Sequence, residues 1–376
     1  MKSHILQITT RLACKILNSR QRVERLAPFR LPIPTSFAGT GLPAVASAFL
    51  LLLLLLSGAC EKALLGGDPD TAPTAVFDAL WEDVNNRYSY FEEKGIDWDS
   101  IRAAYRPRVA DQMSDTELFG LLAEMLFALE DGHVNLTSTF GRSRNWEWFL
   151  DYPPNFNANI VERHYLGRDF HQVGPFRAQL IDGALYVYYG SFAGTVEEAH
   201  LDALLALADG SEGLIIDIRD NGGGSVENAG RIASCLAEEP LVYARRRIKT
   251  GPGRDEFSAW ENLLIQPRSG SRYAGKVAVL TNRQTYSAAS AFAQMARVLP
   301  NAVLIGDRSG GGGGTPVYGE LPNGWTYRFS ATQSVSPSGE HLEFGVPVDI
   351  GAALVPEDEQ AGVDTVIERA LEWVRG

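Results

Sequence analysis

The sequence predicts an α/β fold, in the α+β sense that a small helical domain precedes a mixed core, and three observations carry that prediction. First, Leu214-Ile215-Ile216-Asp217-Ile218 is a continuous apolar run of strand length that ends in a glycine-rich turn and leads into a helix over 226–236. Second, the same order returns at Val277, Val279 and Leu280, which are followed by an alanine-rich helix and a further strand at Val303, Leu304 and Ile305. Strands that alternate with helices and are apolar throughout belong in a largely parallel sheet covered on both faces. Third, Val76, Phe77, Leu80, Trp81, Val84 and Tyr88 recur at helical spacing near the front of the chain. The mixed core is expected over residues 183–376 and the helical domain over 74–137.

From the N-terminus, residues 1–60 read as an export leader that is no part of the fold. Seven basic residues (Lys2, Arg11, Lys15, Arg20, Arg22, Arg25 and Arg30) stand against one acid, Glu24, and an apolar run from Ala44 to Leu56 follows. A basic region, a short apolar stretch and small residues make an export signal; the ~20 apolar residues of a bilayer span are not reached. Ser57-Gly58-Ala59 stop at Cys60, which resembles the lipobox of a bacterial lipoprotein, with Cys60 as the acylated first residue of the mature chain. That resemblance implies a lipid anchor in a bacterial cell envelope, with the protein facing the periplasm or the outside. Residues 61–73 read as a tether.

After the first helix, a second is expected over 98–105. A third opens with the capping box Ser114-Asp115-Thr116-Glu117, runs through Leu118, Leu122, Met125, Leu126 and Leu129, and stops at Gly132. Residues 138–182 are aromatic, proline-bearing and irregular, and are expected to form a connecting β segment with strands at 156–161 and 176–181. A strand at 185–189 and a helix over 196–207 precede the apolar run at 214. Toward the end, 325–332 alternates like a strand, and 364–374 has the pattern of a closing amphipathic helix.

Charge and cysteine usage exclude several function classes. Taking the leader's seven basic residues and one acid from totals of 34 and 46 leaves 27 against 45, a net of −18. Such a chain is not expected to bind nucleic acid or an anionic membrane face. With Cys14 in the leader and Cys60 at the lipid site, Cys235 is left alone, so neither a disulfide framework nor a cysteine metal site is expected.

The glycine turn at Asp220 to Ser225 lacks the third glycine of a dinucleotide loop, since Glu227 stands there, and Gly310 to Gly314 lacks the Gly-Lys-Ser/Thr ending of a phosphate loop. What remains is backbone that approaches something closely, with N–H groups as donors. His133, His164, His171, His200 and His341 show no helical metal spacing, so no metal and no cofactor is expected. Ser287 stands where a turn becomes a helix. It is either an N-cap or a nucleophile, because a helix start caps well and also stabilises a developing oxyanion. A nucleophilic serine needs a base. No lysine follows Ser287, and only Lys249 and Lys276 lie in the preceding hundred residues, which points to a histidine. Each of these histidines also reads as a plain surface or core residue, but His133, in Asp131-Gly132-His133, follows a helix end among small residues, where a side chain can face a cleft.

Three ordered motifs now carry a resemblance: Glu130-Asp131-Gly132-His133, Asp217-Ile218-Arg219-Asp220-Asn221-Gly222-Gly223-Gly224, and Thr285-Tyr286-Ser287-Ala288-Ala289-Ser290 followed by Leu304-Ile305-Gly306-Asp307. Together they resemble the S41 peptidases, which include the tail-specific (C-terminal processing) proteases and the tricorn core. The resemblance covers residues 74–376 and implies a crotonase-like/ClpP-like catalytic core. It implies Ser287 as nucleophile, with the oxyanion held by the amides of Ala288 and of a glycine in the Asn221 loop, Gly223. In the tail-specific branch a lysine activates the serine, but its position falls near Gly312. In the tricorn-like branch a histidine is the base and a glutamate completes the site, which implies His133 with Glu343, or else Glu340. The serine that precedes the histidine in that branch is Gly132 here. Too few residues separate His133 from Asp217 for a full PDZ domain, so none is expected. The resemblance thus implies an exported serine peptidase that takes peptides or unfolded protein, its oligomeric state open. The competing expectation is a silent relative that binds apolar ligands or peptides, supported by the missing lysine and the aromatic stretch 146–152.

Overall fold

The apolar run at 214–218 is continuous because both of its faces are covered. In the computed structural model, which describes residues 69–144 and 147–376, Leu214 and Ile216 enter one core while Ile215 enters another on the opposite side of the strand. The leader, Cys60 and residues 61–68 of the tether lie outside the described residues. Among the described residues, no helix is long and apolar enough to cross a membrane.

The first half of the chain supplies α1 (Pro73–Arg87), α2 (Trp98–Tyr105), α3 (Asp115–Phe127), β1 (Asn135–Thr137), α4 (Ala158–Ile160), β2 (His171–Val173), β3 (Phe176–Ile181) and β4 (Ala184–Tyr188). Then follow α5 (Glu198–Ala208), β5 (Gly213–Asp217), α6 (Val226–Ser234), β6 (Leu241–Ile248), β7 (Glu261–Ile265), β8 (Val277–Thr281), α7 (Ala288–Arg297) and β9 (Ala302–Gly306). The chain closes with β10 (Pro316–Glu320), β11 (Thr326–Ser330), β12 (Thr332–Val335), β13 (Ile350–Gly351), α8 (Pro356–Ala361) and α9 (Thr365–Arg375).

A seven-stranded sheet has the order β13-β9-β8-β5-β4-β3-β2. It is parallel from β13 to β4 and antiparallel at β3 and β2. Helices α5, α6 and α7 cover one face through Leu201, Ile232 and Phe292, and α9 covers the other through Val366, Ile367 and Leu371. At the carboxyl end of β5, Arg219 is fully buried between Asp217 (Nη2 to Oδ2, 2.6 Å) and Asp364, the N-cap of α9 (Nη1 to Oδ1, 3.1 Å). Tyr186 Oη donates to the same Asp217 oxygen (2.8 Å). This buried triad fixes the start of the glycine loop to the core.

Two small antiparallel sheets, β1-β11-β10 and β12-β6-β7, lie beside the large one in the chain's topology, and Ala331 alone separates β11 from β12. The capping box forms as predicted: Ser114 Oγ accepts from the Glu117 amide (3.4 Å) and the Glu117 carboxylate accepts from the Ser114 amide (2.9 Å). The helical front end, however, does not bury its apolar stripe by itself. Val76, Phe77, Leu80 and Leu122 share one core with Leu321, Trp325, Tyr327 and Phe329 of the late β10–β11 hairpin.

The stretch 138–182 departs from its expected β character. The strand expected at 156–161 is helical, because Asn157 Oδ1 accepts from the amides of Asn159 and Ile160 and starts a turn. That turn continues as a π-helical segment, Val161–Leu166, and ends at Gly167. The strand at 176–181 forms, and with β2 it extends the main sheet, so the sheet begins before residue 183. Likewise the single strand expected at 325–332 is interrupted at Ala331, where the chain passes from one small sheet to the other.

Candidate functional site

Ser287 is not a capping residue. It occupies the position before α7 but makes no side-chain bond to that helix, and its backbone lies at φ 56°, ψ −120°. A non-glycine residue held there costs on the order of 1–3 kcal/mol and needs surroundings that impose it. Those surroundings are a set of hydrogen bonds. The Ser287 amide donates to Gly311 O (2.8 Å) and the Tyr286 amide to Asn221 O (3.0 Å). Below the turn, Thr285 Oγ1 donates to Ile218 O (2.9 Å) and Ser290 Oγ to Thr285 O (3.0 Å). The tight turn frees the hydroxyl from its own helix, and Ser287 Oγ lies 2.9 Å from His133 Nε2.

His133 arrives from the other end of the sequence. After α3 the chain turns through Glu130 at φ 43°, and the Asp131 carboxylate accepts from the His133 amide (2.8 Å). The β1–β11 register, which pairs Asn135 with Arg328, brings Ser330 Oγ to 3.4 Å from His133 Nδ1; Asp131 Oδ1 stands 3.9 Å from the same nitrogen. Burial lowers the His133 pKa to about 4, against the pull of Asp131 and helped by Arg328 and Lys94, so the ring is neutral near pH 7. Burial works against the Asp131 carboxylate too. Lys94, His133 and the hydrogen bonds from the His133 amide and Ser330 nevertheless hold it below the ordinary carboxylate range.

Glu343 does not touch the imidazole or the hydroxyl. Its Oε1 is paired with Lys94 Nζ (2.7 Å), both side chains are nearly inaccessible, and Lys94 also donates to Glu130 O (2.9 Å). Burial pushes the Glu343 pKa up to about 7; Lys94 opposes that shift and Asp131 adds to it. Glu343 therefore bears on His133 through Lys94 and Asp131. Glu340, the other candidate, lies at the surface beside Arg297 (3.7 Å).

Of the two amides expected to face an oxyanion, only one is free. Ala288 opens α7, so its N–H has no partner within the helix and stands at the positive end of the helix dipole. The Gly223 amide is already donated to Asn221 Oδ1 (2.9 Å). Gly223 still sits hard against the serine: at φ 95°, an added Cβ would fall 2.6 Å from Tyr286 O and 2.9 Å from Ser287 Cβ. Its neighbours Gly222 and Gly224 line a cleft of about 720 Å³ that also contains His133, Ser287, Trp148 and Tyr286.

The glycine at 312, where the tail-specific branch carries lysine, has a steric cause. A Cβ there would lie 2.4 Å from Tyr286 Cζ, and the Tyr286 ring is stacked on Trp148 at 3.7 Å and stands 5.0 Å from the His133 ring. Tyr286 fills the space into which a side chain at 312 would project. Gly132 is likewise forced, since a Cβ would strike Trp148 at 2.3 Å. The other lysines considered as bases are engaged elsewhere: Lys249 with Gly251 O and Gly253 O, and Lys276 with Trp373 O (3.3 Å). Among the described residues no three His, Cys, Asp or Glu side chains gather as a metal site, and Cys235 is buried and free.

The sequence motifs did not single out Ser330 or Lys94. Neither has a local signal, because both reach the site through pairings across the fold. Asp131 was visible only as part of its motif, two residues before the histidine whose amide it caps.

Comparison with known proteins bears on the family and the fold. Residues 183–352 match the family model of peptidase family S41, and residues 69–127 match that of the tricorn protease C1 domain. No protein of curated function matches the chain. Among solved structures, a protein from Parabacteroides merdae described as a peptidase is similar at TM-score 0.78 and 40% identity, over 82% of this chain and 98% of that one. Mature CPAF is similar at TM-score 0.61 and 14% identity (80% of this chain, 96% of that one). The photosystem II D1 C-terminal processing protease is similar at TM-score 0.51 and 16% identity (77% and 96%). The last two likenesses concern the fold alone.

Proposed function

Because the chain belongs to peptidase family S41, we propose that it is a serine peptidase in which Ser287 attacks the scissile carbonyl and His133 takes its proton. The observation that carries this is the 2.9 Å contact between Ser287 Oγ and His133 Nε2, made by residues whose backbones are held by unrelated parts of the chain. A neutral ring with its proton on Nδ1, toward Ser330 and Asp131, leaves the Nε2 lone pair for the hydroxyl. Attack places negative charge on the carbonyl oxygen. The Ala288 amide and the α7 dipole stabilise it, and the Gly223 amide joins them if it exchanges Asn221 Oδ1 for the oxyanion. The imidazolium formed on the way is stabilised by the Asp131 carboxylate, which the nearby positive charge of Lys94 helps to keep ionised. His133 then protonates the leaving amine, and water repeats the sequence on the acyl-enzyme.

The test is labelling by a fluorophosphonate together with turnover of a quenched fluorescent peptide. Stoichiometric attachment at Ser287, lost together with hydrolysis in Ser287→Ala and His133→Ala, is expected, because nucleophile and base act as a unit. Peptide binding with neither labelling nor turnover would favour the silent binder, whose support is the aromatic wall of Trp148 stacked on Tyr286. Export with acylation at Cys60 is proposed from the leader sequence; a Cys60→Ala chain that still took up labelled palmitate would rule the lipid site out.

A further inference from the structure

Lys94 reaches the neighbourhood of His133 from a part of the chain that carries none of the three motifs. It stands in the turn between α1 and α2, where its own amide donates to Tyr90 O (3.1 Å). Its side chain is only 9% exposed. Besides pairing with Glu343 Oε1 (2.7 Å), Nζ donates to two successive backbone oxygens, Leu129 O (3.3 Å) and Glu130 O (2.9 Å). Three segments far apart in sequence, around 94, 129–131 and 343, therefore meet at one ammonium group.

The two carbonyls it holds flank a strained residue. Glu130 lies at φ 43°, and a non-glycine residue stays there only where its surroundings impose it. That turn delivers Asp131, whose carboxylate accepts from the His133 amide (2.8 Å) and whose carbonyl accepts from the Val134 amide (3.0 Å). The lysine thus grips the backbone immediately before the group that supports the base. Tyr88 Oη also donates to Leu129 O (3.3 Å). Burial pushes the phenols of Tyr88, Tyr90 and Tyr286 well above their ordinary value, so they bring no charge. Glu130 and Glu343 face Lys94, and Arg328 acts on the His133 ring. Burial works against the charge on Asp131, and Lys94 is the largest influence that opposes it. A buried lysine–glutamate pair is weak evidence for stability, since apolar residues of the same volume often serve as well. What such residues would not supply is a fixed positive charge and two bonds to the turn.

We infer that Lys94 is a positioning residue for His133: it clamps the carbonyls of Leu129 and Glu130 around the strained turn and presents its charge to Asp131, which keeps that carboxylate ready for the imidazolium. This rests on the peptidase reading and gives Lys94 a part in it beyond pairing with Glu343.

The test measures kcat and KM of the full chain on a neutral quenched peptide across pH, with chemical denaturation in parallel. Lys94 is not among the residues lining the cleft, so Lys94→Met should leave KM unchanged while kcat falls about tenfold or more. Loss of the cation raises the pH at which both Asp131 and His133 take up a proton. The acid limb of kcat/KM should therefore move up by about one pH unit. Lys94→Met strands Glu343 in the interior, so Lys94→Met/Glu343→Gln, with both charges removed, provides the second variant. It should fold and show the same loss of kcat and the same displaced limb, whereas Glu343→Gln alone leaves the limb in place. A folded double variant with wild-type kcat and an unmoved limb overturns the inference and reduces Lys94 to a counter-ion. Failure of both variants to fold overturns it too, by assigning Lys94 to the fold. In either case wild-type turnover and labelling at Ser287 leave the peptidase reading standing. A wild-type chain with neither turnover nor labelling ends that reading first, and the inference with it.

Discussion

The pH dependence of turnover tests the environment of His133 directly. A general base works only when neutral, so kcat/KM falls as pH drops through the free-enzyme pKa of the ring. An ordinary imidazole, near 6.5, would be about 9% neutral at about pH 5.5, whereas one held at about 4 is about 97% neutral there. The plateau should therefore extend well into the acid range, with half of the activity lost near pH 4. Asp131, kept below the ordinary carboxylate range, stays ionised across the plateau. The same shift has a consequence for folding. Between the unfolded value and about 4, the unfolded chain binds a proton that the folded one does not. Stability is therefore full above about pH 6.5 and is lost as pH falls through the folded value, by on the order of 3 kcal/mol. The assay is kcat/KM for a neutral quenched peptide between about pH 3.5 and 8 at constant ionic strength, with chemical denaturation measured in parallel. Glu343, pushed up to about 7, titrates inside that range. Any shallow inflection it causes should vanish in Glu343→Gln while the limb near 4 remains. A single limb centred between about 6 and 7 would mean a hydrated ring in the working enzyme, and the burial argument would be refuted.

Ser287→Gly removes the hydroxyl and also the left-handed strain at φ 56°, so it should abolish turnover while raising the denaturation free energy by about 1 kcal/mol or more; a less stable variant contradicts the strain. Gly312→Ala should cost about 1–3 kcal/mol and slow turnover, because the new Cβ meets the Tyr286 ring that flanks His133. Gly312→Lys should fail to rescue His133→Ala for the same reason, and rescue would show that the pocket holds a lysine after all. Asp364→Ala leaves Arg219 buried with half of its counter-charge, and about 3–5 kcal/mol of stability should be lost. A loss under about 1 kcal/mol, read by urea titration, would remove the triad from the account of the glycine loop.

What the sequence made legible divides along a physical line. Periodicity reports burial, so elements with two covered faces or a clean stripe were readable: the runs at 214–218 and 277–280, the helix of Val76 to Val84, and the capping box at Ser114 whose two bonds are local. Where a side chain's bond to the backbone decides the conformation, periodicity misleads. Phe156 to Val161 alternates acceptably for a strand, yet one carboxamide at Asn157 turns it helical. The site was legible to the same degree. The proposed nucleophile and base, Ser287 and His133, sit in motifs whose turns force unusual backbone, and the two side chains lie within hydrogen-bond reach of one another. The groups that tune them do not carry such marks. Ser330 becomes a partner of His133 only because β11 pairs with β1 in one register, since a shift by one residue would turn its hydroxyl to the other face. Gly223 shows the converse: a glycine required by close packing at Tyr286 need not offer its amide, because Asn221 two residues earlier already accepts it. Closeness of backbone and availability of a donor are separate properties, and only the first is written into a run of glycines.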